Sequence, residues 1–136
     1  MVLSASHLET LRAAMDRIVP ADEHAGAWDA GCGEFLNQLL EQGLADAALY
    51  RGGLDGLESE AQRASKTSFS ALSPELQDDL LAAVEAGSIQ TAWAVSPGAF
   101  FRTLVRNTME GYYGNAANGG LREAETWKAI GFEVKG

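Results

Sequence analysis

Apolar side chains recur at helical spacing near the start of the chain, and this pattern predicts two amphipathic helices. Ser6 and Glu9 have the spacing of a capping box, and Pro20 marks the end of the first helix. A loop at residues 20–26 leads to the second helix, which is expected either to close at Gly43 or to continue past it. The apolar positions of the two helices are Leu8, Leu11, Met15 and Ile18, then Trp28, Cys32, Phe35, Leu36, Leu39 and Leu40.

Residues 44–64 continue the helical pattern but contain three glycines, Gly52, Gly53 and Gly56. Each glycine costs roughly 1 kcal/mol relative to alanine inside a helix. We therefore expect either a break in the helix or a close helix crossing at this point.

Two further helices are marked by the same start signal, a serine followed by a proline at 73–74 and again at 96–97. Gly87 is expected to end the first of them, and residues 88–95 between the two could be extended. The whole chain, residues 1–136, is therefore predicted to be a single all-α domain: a bundle of about five helices with an irregular, glycine-rich C-terminal arm at about 114–136. The apolar positions are Leu76, Leu80, Leu81 and Val84, then Phe100, Phe101, Leu104, Val105, Met109, Tyr112 and Tyr113.

Composition narrows the classes of partner. The 136 residues include 10 Lys and Arg against 19 Asp and Glu, which gives a formal net charge of −9. Nucleic acid and anionic membrane surfaces both attract basic patches, so neither is an expected partner. No stretch approaches the roughly 20 apolar residues of a membrane span, so direct membrane insertion is not expected.

Few residues could carry chemistry. The cluster Asp22, Glu23 and His24 could ligate a metal or act in acid–base catalysis, although adjacent side chains diverge and a helix-entry loop is the favoured interpretation. Glu110 could be a buried carboxylate with a raised pKa. Pairing with Arg106, four residues earlier, is the favoured alternative.

Cys32 is the only cysteine, which excludes a disulfide within the chain. Its place on an apolar stripe favours a buried, inert thiol over a reactive one. The chain has neither the G-x-G-x-x-G spacing of dinucleotide sites nor a C-x-x-C-H haem motif. We therefore assign no catalytic, cofactor-binding or metal-binding residue to this chain.

Aromatic residues gather in the C-terminal third of the chain. Aromatic helices usually belong to a core, but this excess, beside a glycine-rich arm, favours a surface for a partner protein. An arm that becomes ordered on docking would use its large apolar side chains as anchors. The candidate interface residues are Trp28, Phe100, Phe101, Tyr112, Tyr113, Trp127, Ile130 and Phe132.

Three blocks of the sequence follow one another in a recognisable order. The opening block is TLRAAMDRIVPADEHAGAWDAGCGEFLNQLL, and the middle block is SFSALSPELQDDLLAAVEAG. The closing block comprises FFRTLVRNTMEGYYGN, NGG and W-x-x-IGF. Together these blocks resemble the gluconate 2-dehydrogenase subunit 3 family, which supplies small subunits of FAD-dependent sugar dehydrogenases. The resemblance extends from about Leu11 to Phe132, and Ala25 stands where the family commonly has proline.

The resemblance implies a non-catalytic accessory subunit that binds and stabilises a large flavoprotein of the glucose-methanol-choline (GMC) class. FAD and the catalytic base would belong to that partner, which oxidises a sugar or glucoside, and a cytochrome c could accept the electrons. Family members often carry a twin-arginine export signal, which is not evident here. The sequence as written thus predicts a cytoplasmic protein, or a periplasmic one if such a signal was removed. The alternative is a stand-alone helical binding module, or a small hydrolase that uses the loop at 22–24.

Overall fold

The computed structural model describes residues 2–21 and 25–118, and these residues form five α-helices with no strand. The predicted all-α bundle is confirmed. The predicted arm is corrected at its start, because the last helix continues to Asn118. The helices are α1 (Ala5–Ile18), α2 (Cys32–Glu41), α3 (Ala47–Ser65), α4 (Pro74–Ala86) and α5 (Pro97–Asn118), with one 3₁₀ turn at Phe69–Ala71 before α4.

Helix α1 begins earlier than predicted, so the capping box at Ser6 and Glu9 is wrong. Ser4 is the N-cap, and its Oγ accepts a hydrogen bond from the backbone N–H of His7 at 3.1 Å. The ring of His7 takes the place that glutamate usually has in a capping box, since its Nδ1 accepts from the Ser4 N–H at 3.3 Å. His7 Nε2 also lies 2.7 Å from Asp55 Oδ1 on α3. The histidine is therefore half-buried between two helices, whereas a first-turn residue is expected in solvent.

Helix α2 begins at Cys32 and not at Trp28. Residues 27–30 form a turn, and Gly31 has the left-handed backbone angles φ 96° and ψ 11°, which a residue with a side chain adopts at a cost. Trp28 shares the apolar period of α2 but precedes it in the chain. Its position shows that helical spacing alone does not locate the first residue of a helix.

The glycines of α3 produce a close crossing and no break. Helix α3 is continuous from Ala47 to Ser65. A Cβ at Gly53 would lie 2.0 Å from Cδ1 of Phe100, and a Cβ at Gly56 would lie 2.4 Å from Cδ2 of Trp93. Both distances are too short for carbon atoms that are not bonded, so these positions admit only glycine without rearrangement. The predicted close approach is confirmed.

Helix α4 begins and ends as the sequence predicts. Ser73 Oγ accepts from the Leu76 N–H at 3.3 Å, and Gly87 ends the helix with φ 75°. Leu76, expected on the buried face, is instead 46% exposed. The next residue, Gln77, is buried, and its Nε2 donates a hydrogen bond to the carbonyl of Phe69 at 2.9 Å.

Helices α1 and α5 each contact the other four helices. Within the described residues, no helix combines the length and apolarity needed to cross a membrane. The largest side chains with almost no exposure are Leu11, Met15, Leu36, Tyr50, Leu54, Leu57, Phe69, Val84, Phe100 and Leu104.

Candidate partner-binding surface

Phe100 and Tyr112 lie in the core, which corrects their assignment to a surface. Phe100 is 0% exposed and Tyr112 is 3% exposed. The ring of Phe100 meets that of Tyr50 edge-on, with centroids 6.0 Å apart. The hydroxyl of Tyr112 donates to the carbonyl of Ala25 at 3.2 Å, which ties α5 to the loop before α2. A docked protein would not reach either ring in this fold.

Trp28 remains half-buried on the surface. The edge of its ring covers Gly33, where a Cβ would lie 2.4 Å from Trp28 Cζ3. The guanidinium of Arg12 lies over the Trp28 ring, 6.0 Å from its centroid, at the outer range of a cation–π contact. The backbone N–H of Trp28 donates to Asp16 Oδ1 at 3.0 Å, so this tryptophan is held in place in the free chain.

Four side chains of α5 form a half-buried apolar row on its outer side. Phe101, Val105, Met109 and Tyr113 follow one another at intervals of four, the spacing of neighbours on one helix face. Burial, and then the nearby Tyr112, raise the pKa of the Tyr113 hydroxyl. The predicted interface residues Phe101 and Tyr113 are thus partly accessible, whereas their direct neighbours Phe100 and Tyr112 are not.

The N-terminal half of this row opens into a groove of about 430 Å³ between three helices, called here the α1/α4/α5 groove. Its apolar part comes from Ile18 on α1, Leu81 on α4, and Phe101 and Val105 on α5. The groove is lined by one predicted interface residue, Phe101. The remaining lining residues are Arg17, Asp78, Ala82 and Glu85.

An ion pair closes one side of the α1/α4/α5 groove. Arg17 Nε donates to Asp78 Oδ1 at 2.8 Å, and Arg17 Nη2 donates to Asp78 Oδ2 at 3.0 Å. This two-point contact lowers the pKa of Asp78 and raises that of Arg17. Because both carboxylate oxygens are occupied, the pair fixes the end of α1 against α4 beside the groove.

Glu60 on α3 is a buried carboxylate that the sequence interpretation missed. It is 5% exposed, and it accepts the backbone N–H groups of Gln90 at 2.9 Å and Thr91 at 2.8 Å. Its Oε2 also accepts the Thr91 hydroxyl and, at 3.2 Å, the indole N–H of Trp93. The irregular segment between α4 and α5, in which the sequence suggested that residues 88–95 could be extended, is therefore anchored to α3 through one side chain.

Burial alone would raise the pKa of Glu60, but the hydrogen bonds from Thr91, Gln90 and Trp93 outweigh it, and the pKa is lowered. The sequence held a signal for this site. Glu60 follows Leu57 by three residues and so falls on the buried face of α3, where an unpaired carboxylate would be costly.

Cys32 is buried, as predicted from its place on the apolar stripe. Its Sγ is 3.3 Å from the carbonyl oxygen of Thr108 on α5, to which the thiol donates. Burial, and secondarily the charge of Asp16, raises the pKa of the thiol to about 12. A thiolate is the reactive form, so this environment disfavours reaction.

We expect Cys32 to resist a thiol-reactive disulfide reagent at pH 8 in the folded chain, because the thiol is both protonated and covered. The same chain in denaturant should react fully. The measurement is the rate at which the thiol of the reagent is released, with and without denaturant. Equal rates in the two conditions would show that the thiol is accessible in the native fold.

The structure describes only some of the residues that the sequence suggested for metal binding or acid–base catalysis. Asp22, Glu23 and His24 lie outside the described residues. In the part of the chain that the structure describes, no three His, Cys, Asp or Glu side chains converge as metal ligands would. Glu110 is exposed, so a buried carboxylate there is wrong, and its predicted ion pair with Arg106 is not formed between these two described side chains.

The three candidate anchors of the C-terminal arm, Trp127, Ile130 and Phe132, also lie outside the described residues. Their role in docking stays a prediction.

Comparison with known proteins gives one result. The family model described as gluconate 2-dehydrogenase subunit 3 matches residues 5–135. No curated protein and no solved structure shows significant similarity to the chain. The family match includes all five helices and the whole of the α1/α4/α5 groove.

Proposed function

Because the chain belongs to the gluconate 2-dehydrogenase subunit 3 family, we propose that it is a non-catalytic small subunit that binds and stabilises a large flavoprotein dehydrogenase. The observation that carries this proposal is the extent of the match, residues 5–135 of 136. The family is named as a subunit of a dehydrogenase, so its members are expected to act beside a partner. In this proposal the partner is of the GMC class and holds FAD.

The proposed division of labour assigns the chemistry to the large subunit. The partner supplies the flavin and the base that oxidises a sugar or glucoside, and this chain supplies a rigid helical surface. The half-buried side chains Trp28, Phe101 and Tyr113 support a binding role, because aromatic rings held in place contribute strongly to protein interfaces. A partner that binds only the folded chain also stabilises that fold by mass action.

Purification of the tagged chain from its native host tests this proposal. We expect a larger polypeptide to co-purify and to carry a visible flavin spectrum, while the chain produced alone shows no flavin after gel filtration. The tag without the chain is the control for capture by the resin. Recovery of the chain without a flavin-containing polypeptide would contradict the proposal, as would flavin retained by the chain alone.

A further inference from the structure

The α1/α4/α5 groove has an apolar floor that is formed by well-fixed side chains. Leu81 is 5% exposed, and Ile18 and Phe101 are half-buried and pack against the core. Val105 is also half-buried. Ala82 lies in the same groove and is exposed. The small alanine leaves space above the floor, and a side chain from another protein could occupy that space without displacing the core.

The groove is lined by two acidic side chains and one basic side chain, Asp78, Glu85 and Arg17. Arg17 is already neutralised by Asp78, so Glu85 remains as the lining charge without an ion pair in the described chain. Arg102 and Arg106 on α5 are exposed but do not line the groove. Helix α4 itself has four acidic residues and no Lys or Arg; the acids are Glu75, Asp78, Asp79 and Glu85.

We infer that the α1/α4/α5 groove receives an apolar segment of the large subunit that carries lysine or arginine beside its apolar side chains. This inference rests on the proposed function. The apolar residues of the segment cover Phe101 and Val105, and its cation faces Glu85 on α4. Such an arrangement matches the usual anatomy of interfaces, with an apolar centre and a charged rim that sets orientation.

The size of the groove suits an anchor point within a larger interface. A recess of about 430 Å³ holds one or two large side chains and is smaller than a complete protein interface. Interfaces often depend on a few buried anchors of this kind, with most surrounding contacts contributing little. Loss of this contact should therefore weaken assembly strongly even if other contacts remain.

The test is the affinity of purified variants for the flavin-containing polypeptide that co-purifies with the wild-type chain. Ala82→Arg fills the groove and adds a repelling charge, and Glu85→Lys reverses the rim charge without touching the floor. We expect Ala82→Arg to raise the Kd about thirtyfold or more, as for loss of a hot-spot contact. Glu85→Lys should raise the Kd less, and its effect should shrink as the salt concentration rises.

Matched controls separate the groove from the rest of the surface. Ala64→Arg places the same side chain on an exposed position of α3, and Glu41→Lys makes the same charge reversal at the end of α2. Both should bind like the wild type. Melting temperatures of all isolated variants show whether each one folds.

Each outcome below bears on the inference about the groove or on the proposed function. If the wild-type chain binds the flavin-containing polypeptide and Ala82→Arg binds it with the same affinity, this inference is overturned and the proposed function stands. If the wild-type chain does not bind it, both are overturned. If the wild-type chain self-associates and the Ala82→Arg variant is monomeric, the groove binds a second copy of this chain, and the inference is overturned. If Ala82→Arg melts at a lower temperature than Ala64→Arg, Glu85→Lys decides the question, and an affinity of Glu85→Lys equal to that of the wild type at low salt would overturn the inference.

Discussion

Phe100→Ala should lower the free energy of unfolding of the isolated chain by about 3–5 kcal/mol, the cost typical of removing a buried aromatic side chain. The ring is 0% exposed and lies directly on Gly53, in contact with Tyr50 and with Trp93, whose ring centroid is 6.2 Å away. Its removal leaves a cavity where α3 and α5 cross. Chemical denaturation of the isolated chain, followed by circular dichroism, measures the change.

The adjacent Phe101 provides a matched control of the same residue type on the same helix. Phe101→Ala removes a half-buried ring, so it should cost clearly less stability than Phe100→Ala. Its effect should instead appear in the affinity for the large subunit, because Phe101 lines the α1/α4/α5 groove. Equal stability losses for the two variants would contradict the assignment of one ring to the core and the other to the surface.

Glu60→Ala should lower the free energy of unfolding by about 3 kcal/mol. A fully buried donor that loses its acceptor costs about 1–3 kcal/mol, but the donors to Glu60 are only partly buried, so water recovers part of the loss. Four donors lose their acceptor: the backbone N–H groups of Gln90 and Thr91, the Thr91 hydroxyl and the Trp93 indole. Equilibrium unfolding near neutral pH measures the change. Glu85→Gln, at an exposed residue of α4, is the control and should leave the stability within about 0.5 kcal/mol of the wild type.

The pH dependence of stability tests the same site independently. The folded-state pKa of Glu60 is lower than its ordinary value, so the folded chain holds this carboxylate ionised more tightly than the unfolded chain does. The resulting stability is fully present above the unfolded-state pKa and is lost as the pH falls through the folded-state pKa. Glu60→Gln should therefore be less stable at neutral pH and lose less stability in acid. If the free energy of unfolding of Glu60→Gln falls in acid as much as that of the wild type, these hydrogen bonds do not hold Glu60 in its ionised form.

The sequence predicted the helices well because apolar spacing and serine–proline starts are local properties. It placed the start of α1 incorrectly because Ser4 with His7 and Ser6 with Glu9 both have the spacing of a cap, and only the folded backbone selects one. It placed the start of α2 incorrectly because Trp28 follows the same period as the helix but lies in the preceding turn.

The binding surface was harder to predict than the fold. Phe100 and Phe101 are neighbours of the same type, and only the crossing of α5 over Gly53 decides which one is buried. The groove also depends on Ile18 and Leu81, which come from helices distant in sequence. Glu60 could have been identified from its place on the apolar face of α3, but its partners at 90–93 are set by the tertiary fold.

The central claim, that this chain is a subunit that binds a flavoprotein dehydrogenase, is tested most directly by thermal unfolding of the chain with and without that flavoprotein. At a partner concentration of 100 times the Kd, binding to the folded form alone should add about 2.7 kcal/mol to the free energy of unfolding. We expect a melting temperature that rises with partner concentration, and a smaller rise for Ala82→Arg. Identical melting at every concentration of the flavoprotein would contradict the claim.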